Sequence, residues 1–377
     1  MMNDRKLLKV HVFHWGWIAK DHKSFTKGGV QTYLSNLAEV FREEGYEFNY
    51  YRASEISNET TINGIKVHEM AVKKHTQEIG PVFDYFKEKI DKNNDIVLFA
   101  DDYSSADASQ YHSISIQHGI FWDVPKYKYK GRLKYFLFFI EKTRRAWKRM
   151  THIRYVKQMV CVDYNFVNWY RAVFPYTQTN LKVIPNFTHI APIHIKPKDC
   201  INIIFARRFQ IYRGTRVFAE AIQKILNEYE NVNVTIAGWG EDKEWLYDKF
   251  GKHPKVVFTE YAAEESLAIH SDKHIAVVPT TGSEGTSLSL LEAMSAQCAV
   301  IASDVGGMTN IVLDGHNGLL VPAGNIDCLY KAMKRLIDNP AERERLSLCG
   351  YNTVKDSFSY EKWKASWKEV INEIKQL

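Results

Sequence analysis

Between Val277 and Val321 the chain reads VVPTTGSEGTSLSLLEAMSAQCAVIASDVGGMTNIVLDGHNGLLV, and few folds accommodate that order of residues. A short apolar strand, His274 to Pro279, runs into a Gly/Ser/Thr turn, and a helix is expected from about Thr286. A second apolar strand, Ala299 to Ala302, follows. Loops then come at Asp304-Val305-Gly306-Gly307, Asp314-Gly315 and Asn317-Gly318. Strand, helix and strand at this spacing are the rhythm of an α/β domain, in which ligand-binding loops lie at the strand ends.

Two carboxylates stand out in this stretch. Glu284 sits in the turn ahead of the expected helix, and Glu292 lies eight residues later, inside it. Eight helical residues rise roughly 12 Å, too far for two groups acting on one reacting atom. The span suits the two ends of an elongated ligand. Gly285, Thr286 and Ser287 would turn backbone N–H groups outward at the helix start, where the dipole and unpaired donors favour an anion. Carboxylates at each end of an anion cradle suit a nucleotide-sugar, accepting from its hydroxyls while the amides hold its diphosphate. A capped helix with two surface glutamates is the plainer alternative.

The remaining chain supports two domains of this kind, since 377 residues exceed one ordinary core. With 45% apolar and 25% charged residues the chain is neither disordered nor fibrous. No apolar run approaches a membrane span, and the N-terminal residues enter a strand without a signal-peptide pattern. Five scattered cysteines, never in a CxxC pair, argue against a disulfide frame or zinc site and for a reducing, cytoplasmic setting.

In the first half, Leu8 to Phe13 reads as a buried strand, and Lys27-Gly28-Gly29-Val30 leads into a helix with Leu34, Leu37, Ala38 and Phe41 on one face. Tyr46 to Arg52 is the next strand, and Ile62 to Met70 one further extended segment. Asp95 to Ala100 is a strand ending in Asp101-Asp102, a pair explained by capping as well as by a metal. Ser113 to Gln117 ends at His118-Gly119, a place where open α/β sheets hold ligands. Ile190 to Asp199, containing Pro192 and Pro197, reads as an extended linker. Strand Ile201 to Ala206 then opens the second half. It leads into Arg207-Arg208-Phe209-Gln210-Ile211-Tyr212-Arg213-Gly214, and Gly238-Trp239-Gly240 and Tyr261 follow later strands.

These residues closely resemble the retaining GT-B glycosyltransferases of family 4. Glu284-Gly285-Thr286-Ser287-Leu288 with Leu291-Glu292-Ala293-Met294 matches that family's E-G-x-x-L-x-x-L-E-A-M, Thr286 and Ser287 standing where an aromatic residue and a glycine are common. Val300 to Gly307 and Asn317 to Val321 match the segments that follow. The run from Arg207 to Gly214 matches G-R-L-x-x-x-K-G, with Arg207 in place of the glycine, Arg208 as the arginine and Arg213 for the lysine.

The resemblance implies an α/β, GT-B fold: two Rossmann-like doubly wound domains facing across a cleft. Residues 1–190 would form the acceptor domain, with helix 359–377 packing back on it, and residues 191–358 the donor domain. It implies sugar transfer from a nucleotide-sugar, UDP- or GDP-linked, to a hydroxyl of a glycan or polyprenyl-diphosphate-linked acceptor, with no cofactor and no metal. Glu284, His118, Arg208 and Arg213 would carry catalysis. Gly28, Gly29, Arg208, Arg213, Gly238, Tyr261, Glu284, Gly285, Thr286, Ser287, Leu288 and Glu292 would bind the donor.

The net charge of +6 is unevenly spread. Twelve Lys/Arg face one acid, Glu141, between Lys126 and Lys157, and Leu133, Phe136, Leu137 and Ile140 fall at helical spacing. Three readings stand: a surface helix with its apolar face in the core, a helix lying on an anionic membrane, and a nucleic-acid contact. No nucleic-acid-binding motif accompanies the stretch, and the family resemblance favours peripheral contact with the inner face of the cell membrane, in surface polysaccharide synthesis. The competing functions are a sugar-nucleotide epimerase and a non-catalytic nucleotide-sugar or membrane-binding protein on the same fold.

Overall fold

The computed structural model describes residues 7–19, 21–26, 28–72, 79–120, 131–175, 180–282 and 284–377, the side chain of Arg132 excepted. Lys27, Ser283 and the lysines at 126, 128 and 130 lie outside the described residues. The chain divides into two compact units. One comprises Met1–His118, Phe136–Ile184 and Trp363–Leu377; the other comprises Gly119–Tyr135 and Pro185–Lys362.

In the first unit, β1 (Leu8–Phe13) leads through a long loop to α1 (Gly29–Glu43), then β2 (Tyr46–Ser54), β3 (Asn58–Ile62) and β4 (Ile65–Ala71). Next come α2 (Gly80–Phe86), β5 (Ile96–Phe99), β6 (His112–Gln117), α3 (Arg132–His152), β7 (Gln158–Cys161), α4 (Tyr164–Val173) and β8 (Asn180–Val183). The sheet order is β3-β4-β2-β1-β5-β6-β7-β8. Strand β5, IVLF, is buried throughout, as a strand covered on both faces must be. All neighbours are parallel except β3 and β4. The segment read from sequence as one extended piece is thus a hairpin: Asn63 and Gly64, both at positive φ, turn the chain back.

The second unit repeats the plan. Its elements are β9 (Ile201–Ala206), α5 (Thr215–Glu228), β10 (Val232–Ala237), α6 (Lys243–Phe250), β11 (Val256–Thr259), α7 (Ser266–His270) and β12 (Ile275–Val278). After them come α8 (Leu288–Ser295), β13 (Ala299–Ser303), β14 (Leu319–Val321), α9 (Ile326–Asp338) and α10 (Pro340–Ser357). The order β11-β10-β9-β12-β13-β14 is parallel throughout. Chain order runs outward in opposite directions from β9 and from β12. The crevice beyond their C-terminal ends is therefore a topological switch point, where open α/β sheets bind ligands. In the first sheet the same reversal falls between β1 and β5.

The last helix, α11 (Tyr360–Glu373), carries Trp363, Trp367, Val370 and Ile371 into the first unit. Tyr33 of α1 lies edge-on to Trp363 and accepts a 2.8 Å hydrogen bond from the Trp367 Nε1–H. Outside this core, Lys368 holds Glu43 and Glu44 at 3.1 and 3.0 Å.

Helix α3 overturns one reading of the basic stretch. Leu133, Phe136, Leu137, Phe139 and Ile140 are exposed, Leu133 by 71%, while Ala146 and Met150 further along the helix are buried. Its first apolar stripe does not join the core. Among the described residues, no helix is long and apolar enough to cross a membrane.

Removing the Trp367 side chain empties a fully buried site and takes away its hydrogen bond to the Tyr33 hydroxyl. Trp367→Ala is expected to destabilise the first unit by about 3–5 kcal/mol, read as a lower urea midpoint for the transition that includes this unit.

Candidate functional site

The second unit gathers its charged groups at the switch point. Arg207 directly follows β9, Arg213 closes a short 3-10 turn (Ile211–Arg213), and Glu284 lies on the loop after β12. Arg207 Nη2 donates to Glu284 Oε2 at 2.8 Å, and Arg213 Nη1 donates to the same oxygen. Thr280 Oγ1 accepts a hydrogen bond from Arg207 Nη1 and donates its own to Glu284 Oε2 at 3.1 Å. Among the described residues, all these donors reach Oε2, and none reaches Oε1. Burial alone would raise the Glu284 carboxyl, but the two guanidiniums outweigh it and hold the group down at about 2.

Two close backbone approaches fix this arrangement. Gly307 N donates to Glu284 O at 2.8 Å, and a Cβ on Gly306, at φ +54°, would stand 2.2 Å from that oxygen. The Gly306-Gly307 pair is therefore what lets the loop after β13 support the Glu284 loop. Gly214, at φ +84°, starts α5 with no room for a side chain: a Cβ there would lie 1.9 Å from Pro279 O.

The remaining donor-site candidates fall nearby in the second unit. Helix α8 begins at Leu288, two residues later than expected, because Thr286 and Ser287 are buried in the turn. Glu284 is therefore outside the helix, and the 12 Å helical separation from Glu292 does not apply. The Thr286 carbonyl accepts from Asn186 Nδ2 at 2.8 Å, and Ser287, the residue ahead of the helix, makes no side-chain cap. Gly285 follows Glu284 in the loop that Gly307 packs beneath.

Glu292, on α8, is driven up to about 7 by burial, which the hydroxyl of Ser266 only partly opposes. Tyr261 is raised by burial and by the charge of Glu292, so the two share one environment. Gly238 N donates to Thr259 O at 2.9 Å in the loop after β10. Arg208 stands apart from the carboxylate cluster, its guanidinium 4.6 Å from the centre of the Trp239 ring. The sequence reading gave Arg207 no role beyond replacing a glycine, yet it is the most deeply buried cation of the site. A charged residue in a position the family gives to glycine, next to a buried strand end, was the available signal.

In the first unit, Gly28 is the residue preceding α1 and Gly29 begins it; no side chain caps the helix. His118 lies just past β6, its ring edge-on to Tyr33. Its Nε2 is 3.0 Å from Ala100 O, and a carbonyl only accepts, so Nε2 carries the proton and Nδ1 is left as an acceptor. Burial lowers this imidazole to about 4, keeping it neutral. Asp101 accepts from Ser104 N at 2.8 Å as a turn cap. Asp102 is raised to about 6 by burial, with Arg149 3.7 Å away offsetting part of the cost. Among the described residues, no three His, Cys, Asp or Glu side chains gather as a metal site.

Residues 200–339 match the family model described as glycosyl transferases group 1. An uncharacterized glycosyltransferase of Methanocaldococcus jannaschii is 24% identical over 69% of this chain and 68% of its own length. Phosphatidyl-myo-inositol mannosyltransferase of Mycobacterium leprae is 28% identical over 46% of this chain, the match covering 44% of that protein. Among solved structures, sucrose-phosphate synthase from Thermosynechococcus elongatus superposes with a TM-score of 0.73 at 16% identity, covering 98% of this chain and 99% of that one. Anabaena HepE in complex with UDP gives 0.71 at 13% identity, over 97% of this chain and 100% of that one.

Two parallel, Rossmann-like sheets matching these structures end to end define the GT-B fold of glycosyltransferases. The match to the group 1 glycosyl transferases falls on residues 200–339, within the unit that holds the clamped Glu284 at its switch point.

The state of Glu292 is open to a direct test. Its folded form holds a proton more tightly than the unfolded chain does, so its contribution to stability is present below the ordinary carboxylate range and is lost as pH rises through about 7. Glu292→Gln removes that dependence. Relative to the wild type, it is expected to gain about 1–3 kcal/mol near pH 8.5 and nothing near pH 4, read as melting temperatures at the two values.

Proposed function

We propose that the protein moves a sugar from a nucleoside-diphosphate sugar to a hydroxyl of a glycan or lipid-linked oligosaccharide, with retention and without a metal. The observation that carries this reading is the pair of arginines on one buried carboxylate at the switch point. Glycosyl transfer needs a stabilised leaving diphosphate, a sugar held for an oxocarbenium-like transition state, and an acceptor oxygen on the correct face. Fixed cations in a water-poor site stabilise developing negative charge without reorganising. Arg213 and Arg208 take that role here, joined by the uncapped N-terminus of α8. They supply the electrostatic work a divalent metal would otherwise do.

Glu284, pinned through Oε2, presents Oε1 to a sugar hydroxyl. Glu292 accepts from the ribose and Tyr261 meets the base. Neutral His118 offers Nδ1 to a sugar hydroxyl, a polar contact and not a nucleophile. Gly28 and Gly29 bring backbone amides of α1 to the diphosphate. A nucleotide-sugar is the co-substrate and no cofactor takes part. The Anabaena structure, solved with UDP, supports a uridine donor as the first to test.

The acceptor is assigned to a lipid carrier on the cytoplasmic face of the cell membrane, in surface polysaccharide assembly. The exposed Leu133, Phe136, Leu137 and Ile140 on α3, beside Lys134, Lys142, Arg144 and Arg145, suit an interface with anionic lipid. The similarity to a phosphatidyl-myo-inositol mannosyltransferase, named above, supports the same direction.

Thermal shift against UDP, GDP, ADP, CMP and their sugar conjugates in EDTA is expected to show stabilisation by one nucleotide. No shift from any of them would favour a binding or scaffold role instead. Glu284→Ala should lower transfer by about 100-fold or more while the protein stays folded; a folded, fully active variant would end its assigned role. Phe136→Ser with Leu137→Ser should weaken sedimentation with phosphatidylglycerol vesicles by about tenfold. Unchanged sedimentation would remove α3 from the membrane contact.

A further inference from the structure

The two arginines on Glu284 are not equivalent. The Arg207 side chain is 4% exposed and that of Arg213 is 26%. Arg207 spends its fork on Thr280 Oγ1 and Glu284 Oε2, both inside the second unit. Arg213 shares the same carboxylate oxygen from the accessible side, with its guanidinium 5.0 Å from the centre of the Tyr212 ring. Two guanidiniums on one carboxylate leave the cluster with one uncompensated positive charge. The family pattern quoted above has glycine where Arg207 stands, so this charge is a property of the present chain.

We propose that Arg207 is a positioning residue: it serves as the standing counter-ion of Glu284 and so leaves the Arg213 guanidinium available to the donor diphosphate. The inference rests on the donor-site reading given above and deepens it. Without Arg207, Glu284 and Arg213 would form a closed one-to-one pair, and a diphosphate would have to compete with a buried carboxylate for the same cation. With Arg207 in place, Glu284 remains ionised and fixed while Arg213 keeps N–H donors and net charge for the ligand. A lysine at 207 would keep the charge but lose the fork that reaches Thr280 and Glu284 together.

The test uses the full-length chain and four variants: Arg207→Met, Arg207→Lys, Glu284→Gln, and the double variant Arg207→Met/Glu284→Gln. Calorimetric affinities for UDP and for GDP are measured at low ionic strength, beside the pH profile of kcat/KM. Arg207→Met is expected to bind the preferred nucleotide about tenfold more weakly, with Arg207→Lys in between. The acidic limb of its kcat/KM profile should move to higher pH, since Glu284 loses one of its two cations.

In the double variant, Arg213 no longer faces a carboxylate, and affinity should return to within about threefold of the Glu284→Gln value. A structural defect caused by losing Arg207 would not be repaired in this way. Glu284→Gln alone, with both arginines present, should bind the nucleotide several-fold more tightly than the wild type. If Arg207→Met fails to fold, Arg207→Lys decides the matter through the same loss of affinity and the same shift of the acidic limb. Unchanged affinity in Arg207→Met, or in Arg207→Lys where Arg207→Met does not fold, or a double variant as weak as Arg207→Met, would overturn the proposal. Failure of the wild type to bind either nucleotide would instead overturn the donor-site reading on which it stands.

Discussion

An ionised carboxylate buried at the C-terminal end of a parallel sheet is costly unless cations and donors surround it, and the second unit is built to meet that demand at Glu284. The loop after β9 brings Arg207 and Arg213, and the loop after β12 brings Thr280 and the glutamate itself. The loop after β13 presses two glycines against the glutamate's backbone. Three strand ends thereby become one rigid object. Uncoupling the carboxylate from both guanidiniums would leave a buried charge without compensation, a far larger penalty than the cluster's net contribution to stability. The site is therefore pre-organised by electrostatic necessity, before any ligand arrives.

Much of this organisation could be read from the residues in order. Continuous apolar runs such as IVLF and AVIAS gave the buried strands, and the glycine-rich turns between strands and helices gave the ligand loops. Motif residues Glu284, Gly306 and Gly307 can be read because they fall within one continuous stretch, Val277 to Val321, although they meet across two loops. Arg207 was missed because its significance is not local. It depends on a partner 77 positions away that only the sheet order brings to it. The hairpin at Asn63-Gly64 was missed for a different reason: its first strand, NETTI, is polar up to its last residue and carries no apolar alternation. The start of α8 moved to Leu288 because tertiary burial of Thr286 and Ser287 prevailed over a favourable helical pattern.

Helix α3 shows where amphipathic spacing stops being informative. A stripe of Leu133, Phe136, Leu137 and Ile140 has the same periodicity whether it faces a core or a lipid surface. Only the folded arrangement distinguishes them, by burying Ala146 and Met150 further along and leaving the first turns bare. His118 poses the analogous question for protonation. Its sequence position said nothing about tautomer, whereas one carbonyl at 3.0 Å assigns the proton to Nε2.

The place of α11 bears on how the chain is made. Tyr33, which backs His118, also depends on Trp363 and Trp367, which follow only after the second unit has been encoded. A ribosome delivering residues from the N-terminus would release a first sheet whose α1 lacks its cover, while the uninterrupted second unit is still emerging. The first unit would then acquire its finished interior late, when α11 leaves the exit tunnel. Order of synthesis and order of completion would thus be opposite, and the interval between them is when the uncovered α1 would most need protection from aggregation.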